Sequence, residues 1–143
     1  MRAYALVIAV VAALGAAGMT AACGNDGDTP TTPSPAPASP QTSTFASRLT
    51  VNGAVSRSFT ATQAGTVTVL LTNAGGPSTR IGLGLGVPTT GLARCALSTA
   101  MVTTPGATPQ ITAAVDAGVY CVTLYDIGTL TDTIDFSITL VYP

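Results

Sequence analysis

The sequence predicts an all-β domain, built as an antiparallel β-sandwich over residues 44–143. Three observations predict it. From Phe45 onward, apolar residues recur at every second position and never at useful length with helical spacing. Val, Ile and Thr, which pack well on a pleated half-buried surface, dominate the same stretch. Turn-forming residues interrupt it at Asn52-Gly53, Ala64-Gly65, Asn73-Ala74-Gly75-Gly76-Pro77, Pro105-Gly106, Ala117-Gly118 and Ile127-Gly128. Many short strands with regular turns are the pattern of a sandwich.

The alternation is clearest in three places. Val67, Val69 and Leu71 alternate with Thr66, Thr68, Leu70 and Thr72. Ile81, Leu83, Leu85 and Val87 alternate with Gly82, Gly84 and Gly86. Ile134, Phe136, Ile138, Leu140 and Tyr142 alternate with Asp135, Ser137, Thr139 and Val141. Successive strand residues point to opposite faces, so each set marks one buried face. Eight strands are expected, at about 44–51, 54–62, 66–73, 79–87, 95–102, 109–116, 118–126 and 133–142.

The segment ahead of the domain reads differently. Residues 1–22 have the form of an export signal: Arg2, an uncharged apolar run from Ala3 to Ala17, then small residues. The run is rich in Ala and Gly and short for a membrane span. Ala21-Ala22-Cys23 resembles a bacterial lipobox, with Thr20 in place of the usual Leu. That resemblance implies a diacylglyceryl thioether on Cys23, acyl chains such as palmitate, and a membrane anchor. Cysteine arithmetic points the same way. Three cysteines leave one odd, and an odd thiol in an exported protein needs a role. With lipid on Cys23, Cys95 and Cys121 remain as a pair. Gly24 rather than Asp follows the cysteine, which by the same resemblance favours the outer membrane in a Gram-negative cell.

Residues 23–43 form the anchor and a tether. Five prolines, many Thr and Ser and almost nothing apolar cannot build a packed core. Twenty residues of proline-favoured extended chain would reach up to about 60 Å at ~3.1 Å each.

Three segments of the domain carry a family resemblance. Phe59-Thr60-Ala61-Thr62-Gln63-Ala64-Gly65-Thr66-Val67-Thr68-Val69 looks like a strand, glycine turn and next strand. Ala117-Gly118-Val119-Tyr120-Cys121-Val122-Thr123-Leu124-Tyr125 looks like a Gly-x-Tyr strand, and Phe136-Ser137-Ile138-Thr139-Leu140 like a closing Phe-x-Leu strand. Together they resemble the bacterial pre-peptidase C-terminal domains, over roughly Phe59 to Val141. The resemblance implies a jelly-roll-like sandwich, the kind appended to secreted enzymes, some of which bind calcium or collagen-like polymers. This chain departs from that setting. No enzyme precedes the domain here, and the glycine-alternating segment 81–87 replaces the usual acidic strand.

Composition excludes much chemistry. The chain has five basic residues, all Arg, against six acidic ones, all Asp. Loss of the leader removes Arg2, and four Arg then face six Asp, a formal charge of −2. No basic patch exists to neutralise phosphates, so nucleic acid is not an expected partner. There is no His, Lys or Glu. Hydroxyl or thiol nucleophiles activated by His, and Lys-based chemistry, are therefore closed. The Asp residues show no Asp-Thr-Gly or Asp-Ser-Gly motif. No enzyme activity and no firm cofactor are expected.

Three features retain a candidate role. Cys95 and Cys121 lack the Cys-x-x-Cys spacing of a redox pair, so a structural disulfide is the expectation outside the cytoplasm. Cys95 is expected to open the fifth strand, with Leu97 and Met101 on its face. Cys121 falls opposite in parity to Tyr120, Val122 and Leu124, which places the bridge near the surface. Gly82, Gly84 and Gly86 leave one strand face bare, with Tyr125 as a candidate cover and a groove as a candidate site. Asp126, Asp132 and Asp135 fall in one turn region and are the only calcium candidates, against a plain role in turn chemistry.

The expected function is a non-catalytic, membrane-tethered extracytoplasmic module for adhesion, envelope binding or accessory work. Its partners would be the membrane, through the lipid on Cys23, and an envelope protein or polysaccharide. The alternative is a carrier of carbohydrate or another ligand. Against it stand the absence of Trp and the few aromatics, Phe45, Phe59, Phe136, Tyr120, Tyr125 and Tyr142, most of which fall at core positions.

Overall fold

The structure is a computed structural model, which describes residues 39–89 and 94–143. The leader at 1–22, the lipidation candidate Cys23 and the tether as far as residue 38 lie outside the described residues. Among the described residues eight strands occur: β1 (Gln41–Leu49), β2 (Ala54–Ala61), β3 (Gly65–Ala74), β4 (Ile81–Pro88), β5 (Cys95–Thr103), β6 (Ile111–Val115), β7 (Gly118–Tyr125) and β8 (Ile134–Tyr142). Each expected strand is present within a few residues. The largest change is at β1, which starts at Gln41 inside the stretch read as tether. Gln41, Thr42 and Ser43 carry no apolar alternation. They become strand because β8 runs long enough to pair them with Tyr142, Val141 and Leu140.

Two four-stranded sheets form, in the orders β1-β8-β3-β6 and β2-β7-β4-β5, and every neighbouring pair is antiparallel. Only β4 and β5 are neighbours both along the chain and in a sheet. The other connections cross between sheets, giving the double Greek-key order of a jelly roll.

The inner faces meet in one apolar core. Val67, Val69 and Leu71 of β3 and Phe136, Ile138 and Leu140 of β8 supply one side. Ile81, Leu83 and Leu85 of β4 and Val122 and Leu124 of β7 supply the other. Each side chain of this size stabilises by about 1.5–3 kcal/mol when fully buried. Phe45 packs edge-on against Phe136 at 5.4 Å, and Phe59 stacks on Tyr120 at 6.0 Å and tilts against Tyr142 at 5.0 Å. The expectation that most aromatics serve the core holds for these five. Among the described aromatics, Tyr125 alone stands outside the core cluster.

Gln110 extends one ladder with its side chain. At the start of β6, its amide oxygen accepts from the Leu71 amide (2.7 Å) and its amide nitrogen donates to the Leu71 carbonyl (3.3 Å). It substitutes for a backbone neighbour beside the irregularity between Leu71 and Asn73 in β3.

Candidate functional site

The outer face of the β2-β7-β4-β5 sheet holds the most distinctive surface. Gly82, Gly84 and Gly86 of β4 lie opposite Tyr125, Thr123 and Cys121 of β7. Directly opposed residues of an antiparallel pair share a face, so all six belong to the outer side. A methyl group at Gly82 would overlap the Tyr125 ring, and one at Gly84 the Leu97 side chain. At Gly86 it would overlap the Ala96 carbonyl itself. The glycines therefore let β5 and one tyrosine lie directly on the β4 backbone. Tyr125 is the cover expected for this strip, but it covers Gly82 only. Leu97 and the backbone of Ala96 cover the rest.

A bulge explains how β5 reaches so far. The β4–β5 register shifts between Leu85 and Gly86, where Leu85 pairs with Thr99 and Gly86 with Leu97. Ser98 is the extra residue, and its hydroxyl donates to the Leu85 carbonyl (3.1 Å). The first part of β5 thereby folds across Gly86 toward β7, although β4 lies between them in the sheet. Cys95 and Cys121 are joined by a disulfide there, with Cα atoms 5.9 Å apart.

One expectation needs correction. Leu97 and Met101 do not share a face: Leu97 pairs with Gly86 on the outer side, whereas Met101 pairs with Leu83, a core residue. The bulge at Ser98 inverts the alternation between them. Cys121 faces away from Val122 and Leu124, and the bridge lies on the outer side, where Cys95 lines an open groove; Cys121 itself is only 1% exposed. The folded-over start of β5 buries it. Cys95 is the half-exposed member of the pair.

Beside this strip lies an open groove of about 490 Å³, lined by Ala54, Ser56, Thr123, Tyr125, Leu97, Cys95 and Arg94. The Ser56 and Thr123 hydroxyls hydrogen-bond to each other at 2.8 Å. The groove offers two hydroxyls, one aromatic ring, one guanidinium and an apolar wall. It can hold a ligand by hydrogen bonds and contact. Among the described residues its lining holds no carboxylate beside the two hydroxyls.

The calcium candidates are not brought together. No group of three or more His, Cys, Asp or Glu suited to a metal occurs among the described residues. Each carboxylate is engaged separately. Asp126 accepts from the amides of Asn52 (2.8 Å), Gly128 (2.9 Å), Thr129 (3.0 Å) and Leu130 (3.2 Å). The Asn52 amide chiefly, with the three loop amides, holds its carboxyl below the usual aspartate range against a smaller opposing effect of desolvation. Asp132 accepts from the Thr131 hydroxyl (3.1 Å), and Asp135 pairs with Arg48 (3.0 Å). Asp126 thus clamps the β7–β8 loop to the β1–β2 turn, where Asn52 adopts φ 54°. This is turn chemistry, the plainer of the two readings offered by the sequence.

A second open groove, of about 600 Å³, runs between the 76–80 and 129–134 loops, with Arg80 and Asp132 in its lining. The Thr129 hydroxyl donates to the Arg80 carbonyl (2.9 Å) and ties the two loops together.

No protein-family model matches the chain, and no characterised protein matches its sequence.

Sequence reasoning missed Ser98, Leu97 and Gln110 as positioning residues. The glycine triplet signalled that something approaches β4 closely. It named Tyr125 as a cover but gave no sign of β5, whose irregularity leaves no visible pattern. Gln110 follows Pro109, and that pairing gives no sign of a side chain standing in for a strand.

Proposed function

We propose that this protein is a non-catalytic binding module held to the outside of a bacterial membrane by lipid on Cys23. The observation that carries the reading is the Cys95–Cys121 disulfide. A structural disulfide between strands fits an oxidising extracytoplasmic compartment. It also accounts for two of the three cysteines and leaves Cys23 as the odd one, directly after Ala21-Ala22. The acyl chains of a lipidated cysteine provide the anchor, and two or more hold far better than one. The segment between Cys23 and β1 serves as the spacer that carries the sandwich clear of the bilayer. The likeness of three strands to pre-peptidase C-terminal domains supports an adhesion, envelope-binding or accessory role.

The test is metabolic labelling with palmitate. The wild-type protein incorporates label and fractionates with membranes, and Cys23→Ala does neither. Equal labelling of the two proteins refutes the anchor.

A second reading, ligand carriage, draws on the groove at Ser56, Thr123 and Tyr125. A saccharide platform of two coplanar exposed tyrosines would favour it. Tyr120 and Tyr142 instead pack against the core, leaving Tyr125 alone on this face. The envelope-binding reading is therefore preferred over a carbohydrate carrier.

A further inference from the structure

We propose that the groove over β2, β7 and the folded start of β5 binds an acidic sugar, with Arg94 holding its carboxylate and the hydroxyls of Ser56, Thr123 and Tyr125 meeting its ring oxygens. The proposal rests on the reading of this protein as a binding module and gives that module a ligand class.

Charge selects an anion. Among the described residues three arginines have company: Arg48 pairs with Asp135, Arg57 lies over the Phe45 ring at 5.6 Å, and Arg80 shares its groove with Asp132. Arg94 lines a groove without a carboxylate, and its guanidinium has no hydrogen-bond or ion-pair partner there. The acid closest in sequence to the lining, Asp126, is held by the amides of Asn52, Gly128, Thr129 and Leu130. The residues just before Arg94, Thr-Gly-Leu-Ala at 90–93, add no acid. The backbone under the guanidinium is fixed on both sides. The Arg94 carbonyl accepts from the amide and the hydroxyl of Thr89, each at 3.0 Å, and Cys95 is bonded to Cys121. A chain with more Asp than Arg thus fixes one uncompensated cation at the rim of a groove.

The other polar groups there are donors in excess. Ser56 and Thr123 bond to each other, which uses one of their two hydroxyl hydrogens whichever of them donates. The second hydrogen remains to be given. The Tyr125 phenol has no hydrogen-bond partner among the described residues. A guanidinium matches a single planar carboxylate in a two-bonded fork. The remaining hydroxyls suit a ligand that carries its own hydroxyls, and Leu97, exposed beside them, offers an apolar wall to a sugar ring. A peptide fits less well. Peptides in extended form are bound through main-chain hydrogen bonds at a sheet edge. The floor of this groove is the face of β7, whose ladders are filled by β2 and β4. The volume of about 490 Å³ falls in the small-ligand range of ~300–1,000 Å³. Recognition through charge and hydroxyls needs no pair of coplanar tyrosines.

The test is a titration of the purified protein in mild nonionic detergent, followed by the amide resonances of the domain. The probe is methyl glucuronide. Methyl glucoside removes the charge and keeps the ring. N-acetylalanine keeps a carboxylate, in the form of a peptide terminus, and removes the ring. The glucuronide should shift Ser56, Thr123, Tyr125 and Leu97 and half-saturate at a concentration at least about tenfold below either control, as expected for a hydrogen-bonded charge pair. Arg94→Gln should remove that advantage, and Arg80→Gln, in the other groove, should leave it intact. Tyr125→Phe keeps the ring on Gly82 and should weaken binding about 2–10-fold. Raising the salt should weaken the wild type and not Arg94→Gln, since an exposed pair is screened. Equal binding of glucuronide and glucoside overturns the proposal. So do N-acetylalanine binding as well as the glucuronide, shifts confined to the 76–80 and 129–134 loops, no shifts at all, or an Arg94→Gln protein that binds like wild type. Palmitate labelling does not depend on this titration, so failure of the sugar site and failure of the anchor are told apart.

Discussion

Removing the Cys95–Cys121 bridge tests the account of β5 most directly. The bonded residues are 26 apart in sequence. Loop-closure entropy for a loop of that length corresponds to about 3.5 kcal/mol at room temperature. The double variant Cys95→Ala/Cys121→Ala should lose about that much, plus up to ~1 kcal/mol for the space left by the buried Cys121 sulfur. Reduced wild type separates the two contributions, because it breaks the bond and keeps the sulfur. A loss of this size lowers the melting temperature of a domain near 100 residues by roughly 15–25 °C. It leaves the fold intact, because Cys121 lies outside the core cluster and domains of this kind are stable by about 5–15 kcal/mol. The assay is urea unfolding followed by far-ultraviolet circular dichroism, since the chain has no Trp. Hydrogen exchange should show Cys95 to Leu97 opening on reduction while Thr99 to Thr103 stays protected on its β4 side. A loss below ~1 kcal/mol would mean that the bridge constrains little of the unfolded chain. Complete unfolding would refute the view that it fastens an edge strand and not the core.

Three further outcomes follow from named contacts. Gly86→Ala should cost the most of the β4 glycine series, about 1–3 kcal/mol as for an overpacked site, because it meets the Ala96 carbonyl. Gly84→Ala meets only the end of Leu97, so a denaturation series in which Gly84→Ala costs as much as Gly86→Ala contradicts the folded-over strand. Gln110→Ala leaves the Leu71 amide without its side-chain acceptor and should cost about 1–3 kcal/mol, with faster exchange of that amide as the specific readout. Asp126 has a depressed folded pKa, so its contribution is present above the unfolded value and lost as pH falls through the folded one. Melting curves across acidic pH should therefore fall more steeply for wild type than for Asp126→Asn, and parallel curves would count against the clamp.

The eight strands were legible because a strand with one buried face must alternate. Val67-Val69-Leu71 and Phe136-Ile138-Leu140 state their inner faces in the sequence and keep them in the core. The glycine triplet likewise announced a close approach, since an absent Cβ has few other uses inside a strand. Pairing partners were not legible in the same way. Gln41 to Ser43 joined β1 only because β8 extends opposite them. The Asp residues illustrate the same limit. Asp126, Asp132 and Asp135 are close in sequence, but neighbouring amides, a hydroxyl and Arg48 each claimed one of them.

By itself the sequence determined the fold class, the strand count and the inner faces of β3, β4 and β8, and it offered Cys95 and Cys121 as the disulfide pair. All of these follow from residue type and local period, which survive without knowledge of neighbours. The tertiary structure decided the sheet order, the burial of Cys121, the inversion between Leu97 and Met101 and which strands form the edges. Each depends on which strand lies beside which. A single extra residue at Ser98, invisible as a pattern, reverses every side chain on one side of it relative to the other.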